Sequence, residues 1–378
     1  MQKLSYLLFS AFLIIIISCK KEQQKQETTV PANNVVHYAS GLEIYRYNGF
    51  SVVKVTQPWP EAQEGFTYVM QQENTTLPDS LRVYTTIQVP VKKVVVTSTT
   101  HIPSLEMLGA EETLIGFPNT DYVSSEKTRQ LIDNGKVREV GTNESLNTEV
   151  LIDMQPDALV GFSISSDNKT MATLEKSGIP VLYNGDWTEQ SPLGKAEWIK
   201  FFGELYNKPK EADSIFNSIA DNYKAVKELA QKATVKPTVL SGAMYQDHWY
   251  LPQGKSWAAL FLEDAGANYL WSDSEGTGSH SLSFESVLDK GQDADFWIGP
   301  GQFTSLQEME ESNPHYTQFK AYQNNKVYSY SSKEGATGGV IYYELAPNYP
   351  DLVLKDLVKI LHPELLPDYE LHYFEQLN

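Results

Sequence analysis

From residue 91 onward, short apolar runs alternate with stretches in which apolar residues recur every three or four positions. The short runs are typical of buried strands, and the longer stretches are typical of amphipathic helices. Such alternation indicates α/β domains built on mostly parallel sheets. One series of predicted strands lies at 94–97, 114–117, 137–140, 158–162 and 181–184, and a second lies at 238–243, 295–298 and 326–330.

The longest helical pattern separates these two series. Between residues 209 and 233 one apolar stripe contains Ala212, Ile215, Phe216, Ile219, Tyr223, Val226 and Ala230. Pro237 follows and ends the pattern. We therefore predict two Rossmann-like α/β lobes, 91–208 and 236–378, joined by a single long helix at 209–235.

A short repeat relates the two lobes. Residues 147–153 and 283–289 share a helix cap, an acidic first turn with Glu149 or Glu285, and an apolar helix. The same offset pairs Asp157 with Asp293, each shortly before a predicted strand. An acidic first turn also suits the helix dipole by itself. Two copies in the same place relative to a strand favour two related lobes.

Residues 36–90 have a different pattern. The β-prone runs 42–47 and 50–55 are separated by Asn48-Gly49, a dipeptide that favours a tight hairpin turn. Runs at 66–70 and 81–89 could add further strands. This segment is predicted to be a small β-rich N-terminal extension.

The first residues indicate export and a lipid anchor. Lys3 precedes an apolar run at 7–17, which is shorter than the ~20 residues a membrane-spanning helix needs, so residues 1–18 are predicted to be a signal peptide. Ile16-Ile17-Ser18-Cys19 resembles a bacterial lipobox, and Cys19 is the sole cysteine of the chain. We expect Cys19 to be lipidated and the polar segment 19–35 to be a flexible tether. The expected location is the cell envelope, anchored to the membrane on its periplasmic side.

Charge and motifs exclude several functions. The formal net charge of −18 argues against nucleic acid, because phosphate binding needs a basic surface. The chain has no Gly-x-Ser-x-Gly elbow, no phosphate-binding Gly-x-x-x-x-Gly-Lys loop and no His-Glu-x-x-His pair. We therefore expect a protein that is not an enzyme, without catalytic residues or a cofactor.

Residues 91–365 resemble the helix-linked class of ABC-importer solute-binding proteins, the group that serves ferric siderophores, haem and vitamin B12. The end of the chain resembles iron-chelate members in particular, with Tyr349-Pro350-Asp351 and Leu361-His362-Pro363-Glu364. The other segments that carry the resemblance are Val94-Val95-Val96-Thr97-Ser98, Gly141 through Glu149 to Val160, the long helix, and Leu282 through Glu285 to Asp295.

The resemblance implies that a monomer captures an iron chelate and delivers it to an ABC permease with its ATPase. It also implies that Glu149 and Glu285 dock into arginine pockets of the permease, since a rigidly held carboxylate accepts a bidentate arginine contact. The alternative for these glutamates is a role in their helices alone. Two other functions stay open: a cobalamin-binding importer component, and a surface scavenging lipoprotein without a permease.

Candidate cleft residues follow from a topological rule. Ligands of open α/β sheets bind beyond the carboxyl ends of the strands, where flat aromatic rings can pack on a porphyrin, a corrin or a catecholate. Core packing is the alternative for each aromatic. Trp187 and Trp249 are the strongest candidates, because each lies beside polar residues in a predicted loop. The full ligand-binding set is His101, Tyr122, Phe162, Trp187, Tyr245, Trp249 and Trp257.

The positions of the histidines and arginines narrow the range of possible cargoes. A bare-metal site needs a full ligand set, and the strand end at Phe162-Ser163 has no histidine, so we predict no metal site. His101 could still ligate haem iron or cobalt, but the favoured role for it is that of a polar loop residue. None of the four arginines falls on a cleft loop. Strongly anionic chelates are therefore less expected as cargo, unless Lys169 or Lys255 supplies the positive charge.

Overall fold

The computed structural model describes residues 32–378. The predicted signal peptide (1–18), Cys19 and most of the predicted tether (19–35) lie outside the described residues. Within 32–378, none of the helices is long and apolar enough to cross a membrane.

The N-terminal extension is a four-stranded sheet. Its hairpin turn lies at Asn48-Gly49, as predicted, with Gly49 at a φ of +81° that favours glycine. The strand order is β1-β2-β3-β4, antiparallel except that β4 runs parallel to β3. The strands are β1 (Leu42–Tyr47), β2 (Phe50–Val55), β3 (Phe66–Gln72) and β4 (Thr85–Val89).

Two buried carboxylates hold the chain ahead of this sheet on the first lobe. Glu197 accepts hydrogen bonds from the backbone N–H groups of residues 37–39, at 2.6–3.0 Å. Glu189 accepts from the N–H groups of Ser40 and Gly41 and from the Trp198 indole, at 2.8–3.1 Å. The extension therefore belongs to the same folded body as the lobes.

The first lobe is a five-stranded parallel sheet in the order β7-β6-β5-β8-β9. All three residues of its central strand are fully buried, as the apolar run predicts. The strands are β5 (Val94–Val96), β6 (Leu114–Phe117), β7 (Arg138–Glu139), β8 (Ala158–Gly161) and β9 (Val181–Tyr183). The intervening helices are α1 (His101–Met107), α2 (Glu126–Asp133), α3 (Thr148–Met154) and α4 (Lys169–Lys176).

Three helices follow: α5 (Pro192–Glu197), α6 (Ile199–Leu205) and α7 (Pro209–Ala230). The predicted long helix is α7, which begins at Pro209 as expected but ends at Ala230, before the predicted end at 235. Its predicted apolar stripe is buried except for the half-buried Ile215. Sequence patterns missed α5 and α6. Helix α6 is buried all round, so it has no polar face to reveal a helical period.

The second lobe has a five-stranded sheet in the order β13-β10-β15-β16-β17, parallel except for the last strand. A small antiparallel sheet, β11-β12-β14, lies beside it. The strands are β10 (Thr238–Ser241), β11 (Ala243–Tyr245), β12 (His248–Pro252), β13 (Asn268–Tyr269), β14 (Ser279–Leu282), β15 (Phe296–Ile298), β16 (Val327–Ser329) and β17 (Glu375–Gln376). The helices are α8 (Trp257–Asp264), α9 (Phe284–Gly291), α10 (Leu306–Ser312), α11 (Lys320–Gln323), α12 (Ile341–Leu345) and α13 (Pro350–Leu361).

The repeat is present in the structure, with one correction. Each lobe places an acidic-start helix, α3 or α9, before an interior strand of its sheet, β8 or β15. Asp157 directly precedes β8, but the residue that directly precedes β15 is Asp295, not Asp293. The pairing of Asp157 with Asp293 is wrong because the second lobe takes two more residues from helix start to strand start, 284 to 296 against 148 to 158.

Candidate functional site

The carboxyl ends of β10 and β15 open onto a cavity of about 550 Å³, here called the C-lobe cavity. Gly242, Gly299 and Gly301 line it and have positive φ angles of 65–77°, which let the chain turn away at the strand ends. Other lining residues are Ser241, Tyr245, Tyr250, Gln302, Glu308 and Tyr330.

A second cavity, of about 190 Å³, shares Ser241, Pro252, Gly299 and Tyr330 with the first. Six of its lining residues are aromatic, and we call it the aromatic cavity. The Tyr330 and Tyr342 rings stack with their centroids 4.3 Å apart, and burial raises the pKa of both phenols, so both stay neutral. Flat apolar ligands pack well against such walls. The other aromatic residues of this cavity are Trp257, Phe261, Tyr343 and Phe374.

The register of β12 decides which aromatic residues face the C-lobe cavity. Tyr250 lines the cavity and is 43% exposed, whereas its neighbour Trp249 is fully buried. Trp249 packs against Trp297 with a centroid distance of 5.2 Å, and its indole N–H donates to the Ser241 carbonyl oxygen at 3.0 Å. The prediction that Trp249 binds ligand is therefore corrected: Trp249 is a core residue in a strand, not a loop residue. The alternation of side chains along β12 is the signal that would have pointed to Tyr250.

His101 is also a core residue. As the first residue of α1 it is fully buried, with its ring 5.6 Å from that of Phe202. Burial lowers the pKa of His101 and so favours the neutral imidazole, although the negative charge of Asp186 opposes that shift. The His101 side chain has no exposed surface and lines neither cavity, so the prediction of a cleft role for His101 is corrected as well.

Trp187 lies on a loop that several contacts fix in place. The side-chain oxygen of Asn184 accepts from the Asp186 N–H at 2.9 Å, and an Asp186 carboxylate oxygen accepts from the Thr100 hydroxyl at 2.8 Å. The Thr188 hydroxyl donates to the Gln57 carbonyl oxygen of the N-terminal extension at 3.1 Å. Trp187 remains 37% exposed on this loop.

Lys195 on α5 connects this loop to the second lobe. Its ammonium group donates to the carbonyl oxygens of Asp186 and Trp187, at 3.1 and 3.2 Å, and lies 5.4 Å from the centre of the Trp257 ring on α8. Burial lowers the pKa of Lys195, while Asp186 and Glu189 oppose that shift. Sequence reasoning missed this residue because its helix has no clear period, and no motif marked it.

The other candidates lie in three different places. Phe162 is half-buried and lines a first-lobe cavity of about 450 Å³ together with Lys169. Tyr245 is 68% exposed at the C-lobe cavity. Tyr122 is 64% exposed, and its backbone runs against Gly339, where an added Cβ would lie 2.4 Å from the Tyr122 carbonyl oxygen. The structure therefore does not bring all seven predicted residues to one surface.

A direct contact joins the lobes beside Tyr122. The carboxylate of Glu344, on α12, accepts from the Ser124 and Ser125 N–H groups at 2.6 and 2.9 Å. Burial raises the pKa of Glu344 to about 7, although both hydrogen bonds oppose that shift. The Asn348 side chain adds bonds to the Ser104 hydroxyl and the Thr100 carbonyl oxygen, at 3.0 and 2.8 Å.

Glu149 and Glu285 occupy matching positions, each in the first turn of its helix. Asn147 caps α3 through the Val150 N–H at 3.1 Å, and Ser283 caps α9 through the Ser286 N–H at 3.2 Å. Both glutamate side chains are exposed, and within the described part of the chain neither forms an ion pair.

Comparison with known proteins identifies the family. The sequence profile described as periplasmic binding protein matches residues 94–334, more than half of the chain. The chain belongs to this family. The predicted family and the predicted two-lobed α/β fold are confirmed. Family membership makes this chain a solute-binding protein of the cell envelope.

Individual proteins are similar to this chain over most of its length. An uncharacterized lipoprotein of Methanocaldococcus jannaschii is 28% identical over 302 residues, 77% of this chain and 70% of that protein. A crystal structure of a possible iron-binding periplasmic solute-binding protein from Staphylococcus epidermidis gives a TM-score of 0.56 at 19% identity, covering 72% of this chain and 99% of that one. A periplasmic haem-binding protein from Pseudomonas aeruginosa gives 0.55 at 18%, covering 72% and 93%. At these identities the two structures establish the fold alone.

Proposed function

We propose that this periplasmic binding protein captures an iron chelate, a ferric siderophore or haem, and delivers it to an ABC permease. The observation that carries the proposal is the pair of adjoining cavities at the carboxyl ends of β10 and β15, walled by Tyr245, Tyr250, Trp257 and Tyr330. Open α/β sheets bind ligands at that edge, and aromatic walls suit the flat faces of these chelates. The similar structures, a possible iron-binding protein and a haem-binding protein, support the same class of cargo.

Delivery is proposed to depend on Glu149 and Glu285, one on each lobe. Both are exposed and lie on capped helices, which hold a carboxylate at a defined position for an arginine fork. Lipidation of Cys19 would keep the protein at the membrane near its permease, and the lipoprotein name of the similar M. jannaschii protein supports that anchor.

Thermal unfolding tests the cargo. The full chain in detergent is heated with ferric hydroxamate, ferric catecholate, haemin or cyanocobalamin. A ligand at about 100 times its dissociation constant adds ~2.7 kcal/mol of stability, which raises the melting temperature measurably. A shift with an iron chelate supports the proposal. A shift with cyanocobalamin alone assigns the protein to corrinoid uptake, and no shift with any ligand rejects the proposal.

Uptake by the native cell tests delivery. We expect the double variant Glu149→Gln/Glu285→Gln to bind the chelate as tightly as the wild type but to lose most chelate uptake. Glu228→Gln, an exposed glutamate on α7, is the matched control. Normal uptake by the double variant would leave these glutamates with a role in their helices only.

A further inference from the structure

Lys195 differs from the other cations considered for anion binding. Each of the four arginines forms an ion pair with an aspartate or glutamate. Lys255 pairs with Glu275 at 2.5 Å, and Lys169 lies at the first-lobe cavity. Lys195, by contrast, has no carboxylate oxygen within 4.0 Å among the described residues, and its partners are two carbonyl oxygens and an indole ring.

This arrangement leaves the ammonium group incompletely satisfied. An ammonium has three donors, and two of those of Lys195 are used on the carbonyl oxygens of Asp186 and Trp187. Charges that are withdrawn from water are normally paired with an opposite charge. A half-buried lysine without such a partner can therefore accept an anionic group from outside the chain.

The surroundings of Lys195 specify the shape of that ligand. Trp257, whose ring lies 5.4 Å from the ammonium group, also lines the aromatic cavity with Tyr330 and Tyr342. The carbonyl oxygen of Trp187 accepts a hydrogen bond from Lys195, and the Trp187 side chain is partly exposed. A flat ring system that carries an anionic oxygen at its edge would satisfy both the aromatic walls and the cation.

We propose that Lys195 is a specificity-determining residue that binds an anionic oxygen of the chelate, while Trp257 packs against its apolar face. This inference rests on the proposed function and selects acidic chelates over neutral ones. It replaces the expectation, based on the positions of the arginines, that the site disfavours anionic ligands.

Paired ligands that differ in charge test this role. Binding of haemin, with two carboxylates, is compared with binding of haemin dimethyl ester, and ferric catecholate is compared with ferric hydroxamate. The proteins are the wild type, Lys195→Met, Lys195→Arg and the control Lys326→Met. Lys326 is an exposed lysine whose ammonium lies 4.7 Å from the centre of the Phe296 ring, so it matches the cation–ring contact outside the site.

We expect Lys195→Met to weaken binding of the acidic ligand about tenfold to a hundredfold, as for loss of one charged hydrogen bond, and to leave the neutral ligand unaffected. Lys195→Arg should restore part of the affinity. If the wild type binds a chelate and Lys195→Met binds both members of each pair with the same affinity as the wild type, the role of Lys195 is overturned but the proposed function is not. Preference of the wild type for the neutral members does the same. A wild type that binds none of the four ligands overturns the proposed function and this inference together. Unchanged melting temperatures of the unliganded variants exclude misfolding as the cause.

Discussion

Arg46 and Asp213 join the N-terminal extension to α7 through two parallel hydrogen bonds. Arg46 Nη1 lies 2.5 Å from Asp213 Oδ2, and Nη2 lies 3.0 Å from Oδ1. The Nε atom of the same arginine donates to the nearly buried Glu204, on α6, at 2.6 Å. One side chain of β1 thus contacts both the first lobe and the long helix.

Removing this cation should destabilise the protein. We expect Arg46→Met to lower the free energy of unfolding by about 1–3 kcal/mol, since it leaves Glu204 buried without its charged partner. Arg82→Met is the control, because Arg82 and its partner Asp79 are both largely exposed. Urea unfolding at pH 7 measures both variants, and equal losses would mean that the Arg46 pair contributes no more than a surface ion pair.

Asp157 and Asp295 hold equivalent strands together in the two lobes. Asp157 Oδ2 accepts from the Lys92 and Lys93 N–H groups, both at 2.9 Å. Asp295 Oδ2 accepts from the N–H and the hydroxyl of Thr238, at 3.0 and 2.8 Å. Each carboxylate therefore links the start of one central strand to the start of its neighbour.

Asp295→Asn should cost about 1 kcal/mol of stability at pH 7, as expected for a weakened set of hydrogen bonds. Burial opposes the shift, but hydrogen bonds from Lys320 and Thr238 outweigh it and lower the pKa of Asp295 to about 2. The stabilisation by the ionised group is complete above its ordinary pKa of 3.8 and is lost as the pH falls through 2. The deficit of the variant, measured by urea unfolding, should be smaller at pH 3 than at pH 7.

Asp293→Asn is the matched control for Asp295. Asp293 is exposed, and it is the residue that the sequence offset pairs with Asp157. We expect no change in stability from this substitution. A loss at Asp293 equal to that at Asp295 would contradict the structural equivalence of Asp157 and Asp295.

Glu344 should make the contact between the lobes sensitive to pH. Its carboxyl group is buried against α2, and the nearby Glu106 carboxylate also disfavours its ionisation. Because its pKa rises from 4.5 to about 7, its protonated form stabilises the fold below pH 4.5, and that stabilisation is lost as the pH rises through 7.

Glu344→Gln should remove this dependence. Relative to the wild type, the variant should gain about 1–3 kcal/mol of stability between pH 4.5 and pH 8, since one pKa unit corresponds to ~1.4 kcal/mol. Denaturant unfolding across this range, with the exposed Glu364→Gln as control, measures the difference. Parallel curves for Glu344→Gln and the wild type would show that Glu344 has the same pKa in the folded and the unfolded protein.

Tyr68 of β3 should be needed to cover the edge of the first-lobe sheet. Strand β9 is the last strand of that sheet, and the Tyr183 N–H donates to the buried Tyr68 hydroxyl at 2.8 Å. Tyr68→Phe leaves this N–H without a partner, so we expect a loss of about 1–3 kcal/mol, whereas the exposed Tyr84→Phe should be neutral. Thermal unfolding compares them, and a neutral Tyr68→Phe would indicate that water replaces the hydroxyl.

The sequence by itself determined the local architecture. Strand–helix alternation, the stripe of α7, the caps at Asn147 and Ser283 and the Asn48-Gly49 hairpin were all predictable because each depends on residues near one another in the chain. The order of the strands within each sheet and the docking of the extension depend on contacts distant in sequence. Local patterns in the sequence therefore could not predict the strand order or the docking of the extension.

The tertiary structure alone decided which side chains form the candidate site. Trp249 and Tyr250 are neighbours, yet only Tyr250 lines the C-lobe cavity, because the pairing of β12 buries one face of that strand. His101 lies at a strand end, as the topological rule requires, but its side chain is fully buried and packs against Phe202. Lys195 lies beside Trp257 of the aromatic cavity because α5 packs beside α8, so that a loop of one lobe and a tryptophan of the other meet around its ammonium group. Local patterns determine which elements form, whereas burial and proximity arise only when distant elements pack together.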